Sequence, residues 1–181
     1  MKRYFIILSI LAIVGTATPI IWGITEVAIE KTSDHQFCGS CHSMEPMVKS
    51  FLLDTHGGNN PAGIQAHCTD CHLPHSDPFT YLKQKSINGA WDVWKEHIVG
   101  ADDVDWHAKR EQRESYTYIS GCLHCHNQIE NNSLATLSTP ATWVAHGPMI
   151  RGERDNNCLE CHQHVGHHNL ADALEPQRKA P

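Results

Sequence analysis

The cysteines of this chain occur in only one pattern, Cys-x-x-Cys-His, which is repeated four times. Each copy places two thiols three residues apart, with a histidine directly after the second thiol. Two thiols at this spacing can add to the two vinyl groups of one haem, and the adjacent imidazole can then reach the iron as an axial ligand. The sequence therefore predicts four covalently attached c-type haems. The residues that would hold them are Cys38, Cys41 and His42; Cys68, Cys71 and His72; Cys122, Cys125 and His126; and Cys158, Cys161 and His162.

Two other kinds of site also use paired cysteines. Zinc ribbons and thioredoxin-like dithiols contain Cys-x-x-Cys, but neither requires a histidine directly after the second cysteine. A histidine at that position in all four motifs favours haem over zinc or a redox dithiol. Because the motifs use every cysteine, none is left for a disulfide framework.

A six-coordinate haem iron needs two axial ligands, and each motif histidine supplies one of them. Eleven histidines lie outside the motif positions. We favour three of them as distal ligands: His56, which precedes two glycines, His146 and His167. The order of these residues does not indicate which histidine faces which iron. The competing histidines are His67, His75, His97, His107, His124, His164 and His168.

The N-terminal segment predicts a membrane anchor. Residues 4–25 contain no charged side chain over 22 positions. As a helix they would reach about 33 Å, enough for a hydrocarbon core of about 30 Å. Lys2 and Arg3 precede the segment, so residues 1–3 are expected in the cytoplasm of a bacterial inner membrane and the remainder in the periplasm. A cleaved signal peptide is the alternative, but its apolar stretch is usually shorter and residues 17–19 match a cleavage site poorly.

The composition of the rest of the chain predicts a domain whose core contains few apolar side chains. Aromatic residues make up 7% of the sequence, the net charge is −6 and the pI is about 6.2, which argues against a nucleic-acid partner. Haems are large apolar plates that can replace side chains as core. The predicted fold is mostly α with extensive loops: a single N-terminal transmembrane helix plus a small multihaem cytochrome c domain over residues 26–168, followed by a polar, mobile tail over 169–181.

The long insert between the second and third motifs predicts one clear helix. Asp77 is a suitable N-cap, Pro78 suits the first helical position and Gly100 provides a stop. Lys85 and Asp92 are seven residues apart, two turns, and therefore share a face of this helix. Two charges at this spacing usually form only a solvated face. An apolar stripe of Leu82, Trp91, Trp94 and Ile98 and a second helix over 106–119 are also expected.

Several segments resemble one known family. They are Met44 two positions after the first motif, the loop that begins at His56, the sequence Cys-Thr-Asp-Cys-His-Leu-Pro-His from Cys68, the helix around Lys85 and Asp92, and the N-terminal anchor. Together they are similar to the NapC/NirT/NrfH family of membrane-anchored tetrahaem quinol dehydrogenases. The resemblance implies that Met44 binds the first haem iron in place of His42 and leaves the opposite side facing a quinol pocket.

The same resemblance implies further site residues. Lys85 and Asp92 match residues that border the first haem, and His56 and His167 match distal histidines. His146 matches a histidine present in part of the family. The distal ligand of the second haem stays unassigned, because in some members it is a lysine from a partner enzyme.

The resemblance also implies a function. The protein would oxidise a membrane quinol, menaquinol or ubiquinol, with Asp92 helping to accept a proton, and relay electrons to a periplasmic nitrite or nitrate reductase in anaerobic respiration. It would form a stable hetero-oligomer with that reductase. Two rival functions are a terminal multihaem reductase of a small nitrogen oxyanion and a passive electron carrier tethered to the membrane.

Overall fold

The computed structural model describes residues 2–101, 104–130, 139–155 and 157–175. These residues are helical or irregular, and across these ranges no strand forms beyond one isolated bridge between Gly57 and Gln65. The predicted mostly α fold with extensive loops is confirmed. The helices are α1 Lys2–Lys31, α2 His35–Cys38, α3 Glu45–Leu52, α4 Cys68–His72, α5 Pro78–Trp94, α6 Trp106–Glu111, α7 Ile119–Cys125, α8 Asn127–Glu130, α9 Pro140–Ile150 and α10 Leu170–Leu174.

Helix α1 contains the predicted membrane segment and extends six residues past it, to Lys31. The extension follows from its composition, because Glu26, Ala28, Glu30 and Lys31 are good helix formers. None of the side chains of α1 is buried against the rest of the chain, and its mean hydropathy reaches 2.2. Among the described residues it is the one helix long and apolar enough to cross a membrane.

Helix α5 begins and ends where the sequence predicts. The side chain of Asp77 accepts a hydrogen bond from the backbone N–H of Thr80 at 2.9 Å, and Pro78 opens the helix. After Trp94 the helix continues as a π-helical turn, Lys95–Val99, which ends at Gly100. Gly100 has a φ of +93°, a conformation open to glycine at little cost.

The apolar stripe of α5 is exposed rather than packed within the chain. Leu82 is 40% exposed, Trp91 59%, Trp94 51% and Ile98 64%. The expected helical period therefore exists, but the side chains do not form a core with other helices. In the assembled protein this apolar stripe would therefore contact haem, lipid or a partner.

Two predicted segments differ from the structure. The helix expected over 106–119 stops at Glu111, because Gln112 leaves helical geometry at φ −96°, ψ 28° and the backbone N–H of Tyr118 donates to Cys71 instead. The tail expected to be mobile from 169 onward begins with helix α10, whose Leu174 is only 1% exposed. Residues 176–181 lie outside the described part.

The conventional core is small. The buried apolar side chains among the described residues are Phe51, Leu73, Ala101, Ile150, Leu159 and Leu174. Helix α10 packs on α3, and next to this contact the backbone N–H of His168 donates to the carbonyl of Ser50 at 3.0 Å. The last part of the chain therefore returns to a helix that follows the first motif.

We predict that the chain cannot fold without its haems. Protein made without haem attachment is expected to show no cooperative thermal transition by circular dichroism and to be digested rapidly by trypsin, because so few apolar side chains are buried. The haem-loaded protein in the same detergent is the control. A cooperative transition in the haem-free chain would contradict this expectation.

Candidate functional site

Three of the four motifs share one backbone arrangement. The second motif forms helix α4 from Cys68 to His72. In the third and fourth motifs the N–H of His126 donates to the carbonyl of Cys122 at 2.8 Å, and the N–H of His162 to that of Cys158 at 2.9 Å. The histidine therefore lies one helical turn after the first cysteine, on the same face.

The first motif is built differently. Helix α2 ends at Cys38, and Cys41 is extended, with φ −88° and ψ 128°. His42 then begins a separate 3-10 turn, His42–Met44. Its Nδ1 atom lies 2.7 Å from the carboxylate of Glu96. His42 is therefore presented differently from the other three motif histidines, and Met44 ends the same turn.

Each of the four motifs lies beside the next one in sequence order. None of the eight cysteines forms a disulfide bond. The side chains of Cys38 and Cys68 lie close to each other, as do those of Cys122 and Cys158. The second and third motifs meet where α4 packs on α7. There a Cβ on Gly121 would lie 1.9 Å from the carbonyl oxygen of Asp70, so only glycine allows this approach.

Each motif histidine from the second to the fourth lies opposite a second histidine. The ring centroids are 6.2 Å apart for His72 and His167, 6.2 Å for His126 and His56, and 6.1 Å for His162 and His146. Metal–imidazole nitrogen bonds are about 2 Å long, so two imidazoles on opposite sides of one metal ion place their centroids roughly 6 Å apart. The three distances fit an iron between each pair.

The Nδ1 atoms of four of these histidines are held by neighbouring groups. His72 meets the carbonyl of Tyr116 at 2.6 Å, and His167 meets Ser50 Oγ at 3.0 Å. His56 meets Asp54 at 3.2 Å and His146 meets the carbonyl of Thr142 at 3.0 Å. Contacts at Nδ1 orient the ring and leave Nε2 for a metal ion.

Burial also keeps two of these imidazoles in the form that binds metal. It lowers the pKa of His72, and it lowers the pKa of His167 to about 4. Both rings are therefore neutral at physiological pH, as an iron ligand must be.

The competing histidines lie elsewhere. His75 stacks on His124 with ring centroids 4.9 Å apart, and His67 caps the start of α4. His97, His164 and His168 are exposed, and His107 lies in α6. The three histidines that the sequence favoured are the ones found opposite motif histidines.

Lys85 and Asp92 of α5 both lie beside the first motif. Each is near enough to Cys38 to influence the pKa of that thiol, and Asp92 also influences Cys41. Although Asp92 keeps contact with solvent, the protein atoms around its carboxyl raise its pKa above the usual range, and His72 partly opposes this. A carboxylate with a raised pKa beside a redox centre is suited to taking up a proton.

Lys85 also joins α5 to the end of α1. Its Nζ donates to the carbonyl of Thr32 and to Ser33 Oγ, each at 3.0 Å. A cation at a helix C-terminus also interacts favourably with the helix dipole. The first motif, α5 and the end of α1 therefore meet in one place.

Replacing Lys85 with methionine is expected to loosen this junction. Hydrogen bonds from a charged donor contribute about 1.5 kcal/mol, so local opening near Thr32 should rise on the order of tenfold. The measurement is the rate of tryptic cleavage after Lys31, with Lys83→Met on the same helix as the matched control. Equal cleavage rates in the two variants would contradict the contact.

Sequence reasoning missed Glu96. Its side chain is 6% exposed and contacts both His42 and Ser43. Glu96 lies four residues after Asp92, a spacing that places both on one helix face, so the position could have been found from the period of α5.

Comparison with known proteins identifies the family of this chain. A sequence model described as the NapC/NirT cytochrome c family, N-terminal region, matches residues 1–172. The chain belongs to the NapC/NirT cytochrome c family. The resemblance seen in the sequence is thereby confirmed, and membership implies covalently bound haem c.

Individual relatives of the family match most of the chain. The tetraheme c-type cytochrome CymA of Shewanella oneidensis is 31% identical over 152 residues, which are 79% of this chain and 80% of CymA. The cytochrome c-type protein TorC of Escherichia coli is 27% identical over 94% of this chain, but the chain spans only 45% of TorC.

A solved structure shares the fold. The crystal structure of the cytochrome c nitrite reductase NrfHA complex bound to the HQNO inhibitor contains a chain that matches 94% of this one, with a TM-score of 0.54 and 24% identity. Free paired thiols, facing imidazoles and a small side-chain core all fit haem c in this chain.

Proposed function

We propose that this protein oxidises a membrane quinol, menaquinol or ubiquinol, and relays the electrons to a periplasmic nitrite or nitrate reductase in anaerobic respiration. The observation that carries the proposal is the cluster of Lys85 and Asp92 at the first motif, beside the end of α1. A quinol that leaves the bilayer at this end of α1 would meet both side chains first.

We propose the following ligands. The eight cysteines attach four haems, and the axial pairs are His72 with His167, His126 with His56, and His162 with His146. Met44 replaces His42 at the first haem, which is supported by the separate turn of that motif. The facing ring of His167 favours a ligand from this chain over a partner's lysine at the second haem.

The chemistry at the cluster follows from what quinol oxidation releases. When bound, the haems supply one-electron acceptors in series. A quinol that is oxidised to a quinone loses two electrons and two protons, so a base must lie beside it. A carboxylate oxygen of Asp92 accepts the proton of one quinol hydroxyl, and its raised pKa favours holding that proton. The proton of the second hydroxyl passes to the solvent that Asp92 contacts. The Lys85 ammonium orients the quinol by donating to an oxygen.

The proposed location follows from α1. Residues 1–3 lie in the cytoplasm, residues 4–25 span the inner membrane and residues 26–168 form the periplasmic haem domain, with residues 169–181 after it. The Lys2 and Arg3 pair before the apolar segment supports this orientation. The related NrfHA structure is a complex of a cytochrome c nitrite reductase, which supports a reductase as partner in a hetero-oligomer.

The experiment uses the full-length, haem-loaded protein in detergent. Menaquinol and ubiquinol analogues are each added anaerobically, and haem reduction is followed by absorbance with and without HQNO. Rapid reduction that HQNO inhibits supports the proposal. Turnover of nitrite by the purified protein alone would instead indicate a terminal reductase, and reduction by dithionite but by neither quinol would indicate a passive carrier.

A further inference from the structure

Glu96 makes two contacts with the first motif that the proposed reaction does not use. Its carboxylate lies 2.7 Å from Nδ1 of His42, and it accepts a hydrogen bond from Ser43 Oγ, also at 2.7 Å. The Glu96 side chain is 6% exposed, whereas that of His42 is 68% exposed. Separating a buried carboxylate from its partners costs free energy, so these contacts restrain His42 and Ser43.

The restrained segment is the part of the motif that departs from the other three. Cys41 is extended, and His42 starts the 3-10 turn that ends at Met44. Glu96 lies in the π-helical turn that follows α5 and reaches the first two residues of this 3-10 turn.

The restraint bears on which side chain binds the first iron. Imidazole is a common ligand of iron, whereas a thioether is a soft ligand that selects softer metals. A histidine next to the second cysteine would therefore compete effectively with Met44 for ferric iron unless the protein held it elsewhere.

We propose that Glu96 is a positioning residue that selects methionine over histidine at the first haem. Its contacts with His42 and Ser43 fix the 3-10 turn His42–Met44. In this turn His42 does not lie one helical turn after the first cysteine, as the other motif histidines do, and so it does not replace Met44 at the iron. This inference rests on the proposed ligation by Met44 and adds the residue that enforces it.

The test compares four variants of the full-length, haem-loaded protein: Met44→Ala, Glu96→Ala, Glu96→Ala combined with His42→Ala, and Glu111→Ala as a control at an exposed carboxylate of α6. The readouts are the reduction potential of the first haem and the iron–histidine stretching band of its five-coordinate ferrous iron by resonance Raman spectroscopy. Haem content and the low-spin spectrum of the remaining haems report folding. Glu96→Gln, which keeps an acceptor for Ser43, serves if Glu96→Ala does not fold.

Methionine ligation raises the potential of a haem, so we expect the reduction potential of the first haem to fall in Met44→Ala and in Glu96→Ala. It should return to the native value in the double variant, because the competing imidazole is absent. The iron–histidine band of the first haem should be absent in the native protein and appear in Glu96→Ala. A native potential in Glu96→Ala would overturn the role of Glu96 while leaving Met44 as ligand, and a double variant that does not regain the native potential would also overturn that role. A native potential in Met44→Ala would overturn the ligation itself.

Discussion

Replacing Asp92 with asparagine is expected to lower the rate of quinol-dependent haem reduction by about 100-fold, because a positioned general base contributes at least that much to proton transfer. Asparagine keeps the size of the side chain but cannot accept a proton. Reduction of the haems by dithionite should be unchanged, since it needs no base. The measurement is stopped-flow absorbance with a quinol analogue.

The pH dependence gives a second readout of the same residue. Asp92 acts as a base only when ionised, and its pKa is raised by the protein atoms around it. The rate for the native protein should therefore fall as the pH is lowered through that raised pKa, which lies above the usual value of about 3.9. In Asp92→Asn this decline should be absent and the rate low at every pH.

Asp77→Asn is the matched control on the same helix. Asparagine caps a helix as well as aspartate does, so α5 should keep its start. A normal rate in this variant separates the role of Asp92 from a general effect on α5. If Asp92→Asn oxidises quinol at the native rate, the proposed proton acceptor is wrong.

Removing one distal histidine is expected to convert one of the three low-spin haems, about a third of the low-spin signal, to the high-spin state. His56→Ala, His146→Ala and His167→Ala should each do so, because each imidazole faces a different motif histidine at 6.1 to 6.2 Å. Loss of a strong axial ligand leaves that iron five-coordinate. EPR and visible spectra of the oxidised proteins measure the change.

His164→Ala is the control, since His164 is exposed and three residues from His167. Its spectrum should match that of the native protein. A double variant of two distal histidines should convert two haems, as expected if the pairs are independent. An unchanged spectrum in His167→Ala would mean that the second haem takes its ligand from elsewhere, and a partner's lysine would then be the next candidate.

The placement of His167 depends on the end of the chain. His167 contacts Ser50 and the carbonyl of Met47, both in α3, and α10 then packs on the same helix. The composition of this segment suggested a polar tail, because Leu170 and Leu174 are its only large apolar side chains. Their four-residue spacing puts both on one face of a helix, which is enough to cover α3.

Local sequence signals were sufficient to predict the helices whose ends they determine. The cap at Asp77, the proline at 78 and the stop at Gly100 act on the backbone within a few residues, and α5 follows them. The apolar run at the N-terminus likewise predicted α1, although the helix continues to Lys31. The helix expected over 106–119 was wrong beyond Glu111, because the bond from Tyr118 to Cys71 is a long-range contact.

By itself the sequence determined the four haem attachment motifs, the long apolar helix α1 and the family, because the motifs and the apolar run each consist of residues that are close together in the chain. The tertiary structure alone decided the partner of each motif histidine and the contact of His42 with Glu96. These contacts join residues far apart in sequence, such as Ser50 with His167 over 117 positions and Ser43 with Glu96 over 53. Residues so far apart in sequence come together only when helices pack against each other. The order of the helices along the chain does not show which of their faces will meet.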